Sequence, residues 1–206
     1  MTKVYLVRHG ETEWNASSKV QGNMDTELND KGIKQAELVA LRLAKENIDV
    51  LYTSSLKRAK ATAEMIGKQI KLEVNELHEF REICLGPWEG LTLKEINESY
   101  TEHYRIYRES PSDFNMPGAE TFLQVSERFC NAINNITTQN KDKNIVIVSH
   151  GAAIKAAIIT ILGIDIVHYN KFRIDNASIS ILNFSDKYHN GVVVECLNNI
   201  SHMENK

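Results

Sequence analysis

Two histidines in this chain each follow a short apolar run and precede a glycine. Val4–Val7 leads into Arg8-His9-Gly10, and Ile145–Val148 leads into Ser149-His150-Gly151. A third run, Val50–Tyr52, is followed by Ser54, Ser55 and, one turn further, Arg58. The arginine guanidinium matches phosphate oxygens in geometry, and helix N-terminal amides add donors. A histidine facing such an anion serves as general base or nucleophile, and neighbouring cations and helix dipoles lower its pKa toward the neutral form that attacks. A glycine after each histidine is read as letting the backbone approach a ligand with no Cβ in the way. The chemistry indicated is phosphoryl transfer through a phosphohistidine. Metal chemistry is disfavoured: Arg8 and Arg58 would repel a cation, and no histidine pair has a spacing such as H-x-x-x-H. No metal and no cofactor is expected. Phosphoryl transfer also needs an acid. The residues alone single out none of the carboxylates, although Glu82 precedes the glycine-bracketed loop Gly86-Pro87-Trp88-Glu89-Gly90.

Elements that would position these groups follow from the apolar pattern. Val4–Val7, Val50–Tyr52 and Ile145–Val148 read as strands. Asp30–Glu46 reads as a helix with Ile33, Ala36, Val39, Ala40 and Leu43 on one face, and a second helix runs from a Ser54-Ser55 cap to about Gln69. Another helix follows Gly151, and residues 178–184 and 192–197 read as two strands joined by a polar loop. Alternation of strand and helix predicts an α/β fold, a three-layer α/β/α sandwich around a mainly parallel sheet. Ligands of such sheets bind beyond the carboxyl ends of the strands, where the three loops above meet. In the middle, Leu93, Ile96, Tyr100, Tyr104 and Tyr107 recur at helical spacing, residues 113–118 interrupt, and Phe122, Val125, Phe129, Ile133 and Ile136 mark the next helix. The first of these predicts a small helical cap over the strand ends, its tyrosines read as core in preference to a binding box.

The chain has 206 residues, 42% hydrophobic and 25% charged, which suits one globular domain, residues 1–206, with residues 89–117 contributing the cap. Twenty-four basic and 27 acidic side chains give a net charge of −3. That is no footprint for nucleic acid, so an anion must be held by locally concentrated positive charge. Cys84, Cys130 and Cys196 are odd in number and far apart, giving neither a disulfide framework nor a zinc pattern. The run Val4–Val7 before Arg8-His9 is too short to read as a signal peptide, and Ser149, His150, Lys155 and Asp165 interrupt the most apolar stretch, so neither a signal peptide nor a membrane span is expected. These features predict a soluble, cytoplasmic protein. His78, His103, His168, His189 and His202 read as structural or surface residues.

The run V-Y-L-V-R-H-G-E-T-E-W-N (Val4–Asn15) resembles the signature of the histidine phosphatase superfamily, the phosphoglycerate-mutase-like proteins. The resemblance continues in order through Gln21-Gly22, S-S-L-K-R-A-K-A-T-A-E (Ser54–Glu64), R-E-I-C-L-G-P-W-E-G (Arg81–Gly90), P-G-A-E-T (Pro117–Thr121) and V-S-H-G (Val148–Gly151). Several motifs in one order are far more specific than any alone. The resemblance implies that His9 is the phosphorylated nucleophile and Glu82 the acid/base residue. It implies a phosphate pocket of Arg8, Arg58 and His150, with Asn15, Gln21, Gly22 and the Gly151 amide as further contacts, and no metal in the chemical step.

The superfamily contains mutases and phosphatases. A mutase needs a second anion site, whereas the cap carries Lys94, Arg105 and Arg108 against six acidic residues, and the longer arginine-bearing insertion of cofactor-dependent mutases is missing. The expected activity is therefore phosphomonoester hydrolysis on small phosphorylated metabolites. Phosphoglycerate mutase and α-ribazole phosphatase are the alternatives, with a non-catalytic phospho-ligand binder behind them. The Trp88 loop and the tail Asn199–His202 resemble the bacterial broad-specificity group. Relatives include monomers and homodimers.

Overall fold

The computed structural model describes residues 1–188 and 191–203, so His189 lies outside the described residues. Six strands form one sheet in the order β3-β2-β4-β1-β5-β6. The strands are β1 (Thr2–Arg8), β2 (Val50–Ser54), β3 (Val74–Leu77), β4 (Asn144–Ser149), β5 (Ile179–Phe184) and β6 (Val192–Asn199). The four strands from β3 to β1 run parallel, and β5 and β6 are added antiparallel. This is the expected α/β/α sandwich. A short helix α1 (Glu13–Ala16) follows β1. Helices α2 (Asp30–Leu43) and α3 (Lys57–Ile70) cover one face, where Val39, Leu43, Ala63 and Ile66 pack on Tyr5, Val7, Val146 and Val148. Helices α6 (Phe122–Gln139) and α7 (Gly151–Ile161) cover the other, with Phe129, Ile133, Ile154 and Ile158 against Val4, Leu6, Ile145 and Ile147. The central strands are buried on both faces, which explains their unbroken apolar runs.

Local chemistry sets the helix limits. The Asn29 side chain accepts from the Gly32 amide at the start of α2, and Thr121 with Gln124 forms a capping box at the start of α6. The stripe predicted for α2 is buried except Ile33, which lies at its exposed margin. The Ser54-Ser55 cap predicted for α3 is not formed. Its N-cap is Leu56, which makes no side-chain cap bond, because Ser54 Oγ is paired with His150 and Ser55 Oγ with His78. Strand β3 carries Asn75 and Glu76 on an exposed edge, so it shows none of the apolar run that marks the buried strands.

The middle segment also departs from the single helix its pattern suggests. The chain forms α4 (Leu93–Ser99) and α5 (Thr101–Glu109), broken at Tyr100, which leaves helical geometry at φ −133° and ψ 40°. Tyr100, Tyr104, Tyr107 and Phe114 surround the ring of Trp88 with centroids 5.3–6.4 Å away, so these aromatics pack together, and Tyr107 borders a cavity as well. Among the described residues no helix is long and apolar enough to cross a membrane.

Candidate active site

Pairing of β1 with β4 places Arg8 beside Ser149, and pairing of β2 with β4 places Thr53 beside Val148. The three predicted strand ends therefore meet. His9 and His150 lie with ring centroids 5.1 Å apart, and the Arg58 Nε–H donates to His9 Nε2 over 3.2 Å. The loops above the sheet leave a cavity of about 160 Å³. Arg8, His9, Asn15, Gln21, Gly22, Arg58 and Glu82 all line it, joined by Lys19 and Tyr107. His150 and Gly151 stand beside it, through the His9 ring and through Arg8.

His9 is 2% exposed, and its backbone is fixed from several sides. Its amide donates to the Ser149 carbonyl, and its own carbonyl accepts from the Ala177 amide and from Asn176 Nδ2. The ring Nδ1 lies 2.6 Å from the Gly10 carbonyl. A carbonyl only accepts, so Nδ1 carries the proton and Nε2 presents its lone pair toward Arg58.

Arg58 is fully buried, and its other nitrogens donate to the carbonyls of Met24 at 2.7 Å and Gly22 at 2.8 Å. Burial pulls its pKa down to about 10, which leaves it cationic at neutral pH. Arg8 donates to the Ile174 carbonyl, while its buried Nε has no partner among the described residues. His150 Nε2 is 2.8 Å from Ser54 Oγ, which itself accepts from the Leu56 amide. Nε2 is the one acceptor that the Ser54 hydroxyl reaches among the described residues, so the hydroxyl is assigned as donor to Nε2 and the imidazole proton to Nδ1, a buried atom with no protein partner among the described residues. Asn15 and Gln21 are oriented in the same way. Asn15 Oδ1 accepts from Thr12 and Asn176, and Gln21 Oε1 from Thr12 and Thr26, so both oxygens are engaged within the protein.

The Glu82 carboxylate is seated against the first turn of α7. Its two oxygens accept from the amides of Ala152 at 3.1 Å and Ala153 at 2.9 Å, and from Ile83 at 3.0 Å. The helix N-terminus is a favourable seat for a carboxylate.

The glycines beside the histidines are also required by packing. A Cβ on Gly10 would lie 2.3 Å from the Gly32 carbonyl of α2, and one on Gly151 would meet Arg8 Nε at 3.2 Å. Gly22 has φ +50°, and its missing Cβ leaves room for Glu89, whose Oε1 ties the Asn23 and Leu85 amides together. Lys19 and Asn176 are site-shaping residues that sequence reasoning left without a role, and Ser54, expected as a helix cap, pairs with His150 instead. Asn176 is 167 residues from the His9 carbonyl it holds, a distance no local signal spans.

Burial, followed by the charges of Arg58 and Arg8, holds His9 well below the ordinary histidine value of 6.5, and burial, Arg58 and His9 do the same for His150. Both rings are neutral in the fold. Unfolded, they titrate near 6.5, so below that pH the unfolded chain binds protons that the folded chain refuses. Stability is thus unaffected by this pair above pH 6.5. It falls as the pH drops below, by about 1.4 kcal/mol per pH unit for each histidine. Thermal melts in steps from pH 7.5 to 5.5 are expected to show a falling midpoint below 6.5, and a flat profile there would contradict neutral histidines.

Fold and site are those of an α/β protein built around two strand-end histidines and two buried or cavity-lining arginines. The chain belongs to the histidine phosphatase superfamily (branch 1), whose family model matches residues 4–199. It is 35% identical to phosphoserine phosphatase 1 of Hydrogenobacter thermophilus, over 91% of this chain and 89% of that one. It is 34% identical to a probable phosphoglycerate mutase of Cronobacter sakazakii, over 99% of this chain and 96% of that one. Among solved structures, a phosphoserine phosphatase from Entamoeba histolytica, in complex with phosphoserine, superposes with a TM-score of 0.88 at 36% identity, covering 99% of this chain and 100% of that one.

Proposed function

We propose that the protein hydrolyses small phosphomonoesters bearing a second anionic group, amino-acid phosphates of the phosphoserine type first among them, through a phosphohistidine at His9. The carrying observation is the state of His9, a neutral ring whose Nδ1 is bonded to the Gly10 carbonyl and whose Nε2 faces the cavity and Arg58. Bound phosphate takes the Arg58 Nε–H from that lone pair. Nε2 then attacks phosphorus as the ester P–O bond breaks, and the leaving oxygen receives the Glu82 proton. In the second half, the Glu82 carboxylate takes a proton from water, the water oxygen bonds to phosphorus, and the P–N bond opens to free phosphate and neutral His9. Arg8, Arg58 and His150 Nδ1–H hold the non-bridging oxygens, and the Asn15 and Gln21 amides and the Gly22 and Gly151 backbones complete the pocket. Oriented donors of this kind each contribute about 3–4 kcal/mol to the transition state.

The cavity volume suits a small ester, and Lys19, exposed at its rim, supplies a cation outside the phosphate pocket. A second phosphate site, as a mutase requires, has less support. In the cap, Arg105 is committed to Glu102 and Glu109, and Lys94 lies near Glu98.

The test is phosphate release from phosphoserine, 3-phosphoglycerate and p-nitrophenyl phosphate with excess chelator. Chelator-resistant hydrolysis is expected for all three. Lys19→Ala is expected to raise KM about fivefold for the first two, the equivalent of about 1 kcal/mol, and to leave p-nitrophenyl phosphate unchanged. Bisphosphoglycerate-dependent interconversion of phosphoglycerates without hydrolysis would instead make the protein a mutase.

A further inference from the structure

The segment carrying Glu82 lies between β3 and α4 and contains only short 3₁₀ turns, His78–Phe80 and Gly86–Trp88. It has no ladder or helix to fix its backbone. Its carbonyls are nevertheless engaged one after another. Phe80 O accepts from Ser149 Oγ at 2.7 Å, while Glu79 O, Arg81 O and Glu82 O accept from the single guanidinium of Arg128, on α6, at 2.6, 2.8 and 3.0 Å. The two remaining N–H groups of Arg128 bind Glu120, Nε to Oε1 at 2.8 Å and Nη2 to Oε2 at 3.0 Å. All five donors of the arginine are thereby used.

Glu120 extends the grip beyond Glu82. Its Oε2 also accepts from the Cys84 amide at 2.8 Å, and its own amide donates to the Cys84 carbonyl at 2.8 Å. One ion pair therefore holds the main chain on both sides of Glu82. The two side chains are 21% and 26% exposed, so the pair is largely shielded from water. Burial opposes ionisation of Glu120, but Arg128 and the Cys84 amide outweigh it and keep the carboxyl below its ordinary value.

We infer that the Arg128–Glu120 pair is the positioning device for the acid/base residue, aiming the Glu82 carboxylate by fixing the backbone from residue 79 to residue 84. Neither partner lines the cavity, so neither acts on substrate directly. The inference rests on the proposed role of Glu82. Lysine at position 128 keeps the charge but offers one ammonium where a planar fork of five donors is needed.

Arg128→Lys tests this with two substrates that differ in leaving group. Nitrophenolate departs without a proton, whereas the serine alkoxide needs one from Glu82. The expected result is a fall in kcat for phosphoserine on the order of 10²-fold, the usual consequence of misplacing a reacting group by about 1 Å. KM should stay within about twofold, and the rapid-quench rate of phosphoenzyme formation from p-nitrophenyl phosphate within about threefold. In a Glu82→Gln background, Arg128→Lys should cost nothing more, since residues acting as one unit are non-additive. Glu120→Gln approaches the same clamp from its other side and gives the same pattern should the lysine variant fold poorly. Equal losses for both substrates, or an undiminished loss in the Glu82→Gln background, would reduce the pair to a structural brace. A fully active Arg128→Lys beside a crippled Glu82→Gln overturns the clamp alone. A fully active Glu82→Gln overturns the role of Glu82 and the clamp with it.

Discussion

His9→Ala is expected to lose phosphatase activity by on the order of 10⁴-fold or more, and to lose the phosphoenzyme altogether. Removing the nucleophile of a covalent mechanism leaves only binding and electrostatic stabilisation, and such remnants retain a small fraction of the rate. The site makes substitution by another nucleophile difficult. Ring Nδ1 is fixed by the Gly10 carbonyl, and the main chain of His9 is bonded to Ser149, Ala177 and Asn176, so no neighbouring side chain can take its place over the cavity. His150 is the nearest ring, but its Nε2 is paired with Ser54 and its Nδ1 carries the proton. Rapid quenching with radiolabelled phosphoserine should trap an acid-labile, base-stable label on the native protein and none on the variant. Labelling of His9→Ala at a comparable level would transfer the role to another residue. The same substitution removes one of two buried neutral histidines, so its melting temperature should depend less on pH below 6.5 than that of the native chain.

The layers of the fold are legible in the sequence because their cause is local and repeated. β1 and β4 are buried on both faces, so their residues are apolar without interruption, and the helices between them carry buried stripes at 3.6-residue spacing. Edge strand β3 escapes notice for the same reason, since Asn75 and Glu76 face solvent and carry no pattern. The break at Tyr100 is equally silent, because the aromatic spacing continues through it to serve the Trp88 cluster from two helices. At the site, the residues near strand ends can be gathered from sheet topology alone, which is how Arg8, His9, Arg58 and His150 come together. Their supports cannot. Ser54 has the composition of a helix cap and spends its hydroxyl on His150, 96 residues away. Asn176 holds the backbone of His9, and Arg128 holds that of Glu82, across separations that only the folded chain closes. Side chains that touch substrate announce themselves through residue type and motif, whereas side chains that orient them are defined by geometry.

That division bears on Glu82→Gln, the variant that separates the two halves of the proposed reaction. Glutamine keeps the size of the side chain and one acceptor oxygen for the amides of Ala153 and Ile83, while its NH2 group leaves the Ala152 amide without its acceptor, so the seat on α7 is kept in part and the transferable proton is lost. General acid–base catalysis contributes about 10²–10⁴-fold, and kcat for phosphoserine is expected to fall within that range. p-Nitrophenyl phosphate should behave differently. Its leaving group needs no proton, so phosphorylation of His9 proceeds close to the native rate. The following attack of water still requires a base, so the phosphoenzyme has no rapid exit. Stopped-flow absorbance should therefore show about one equivalent of nitrophenolate released in a burst, then a steady rate far below that of the native protein. A uniform decrease for both substrates with no burst would place Glu82 in ground-state binding. The burst, with label retained on His9, would instead show one carboxylate serving as acid in the first step and base in the second. The structure allows this by giving Glu82 a place at the cavity wall and a fixed hydrogen-bonded seat behind it.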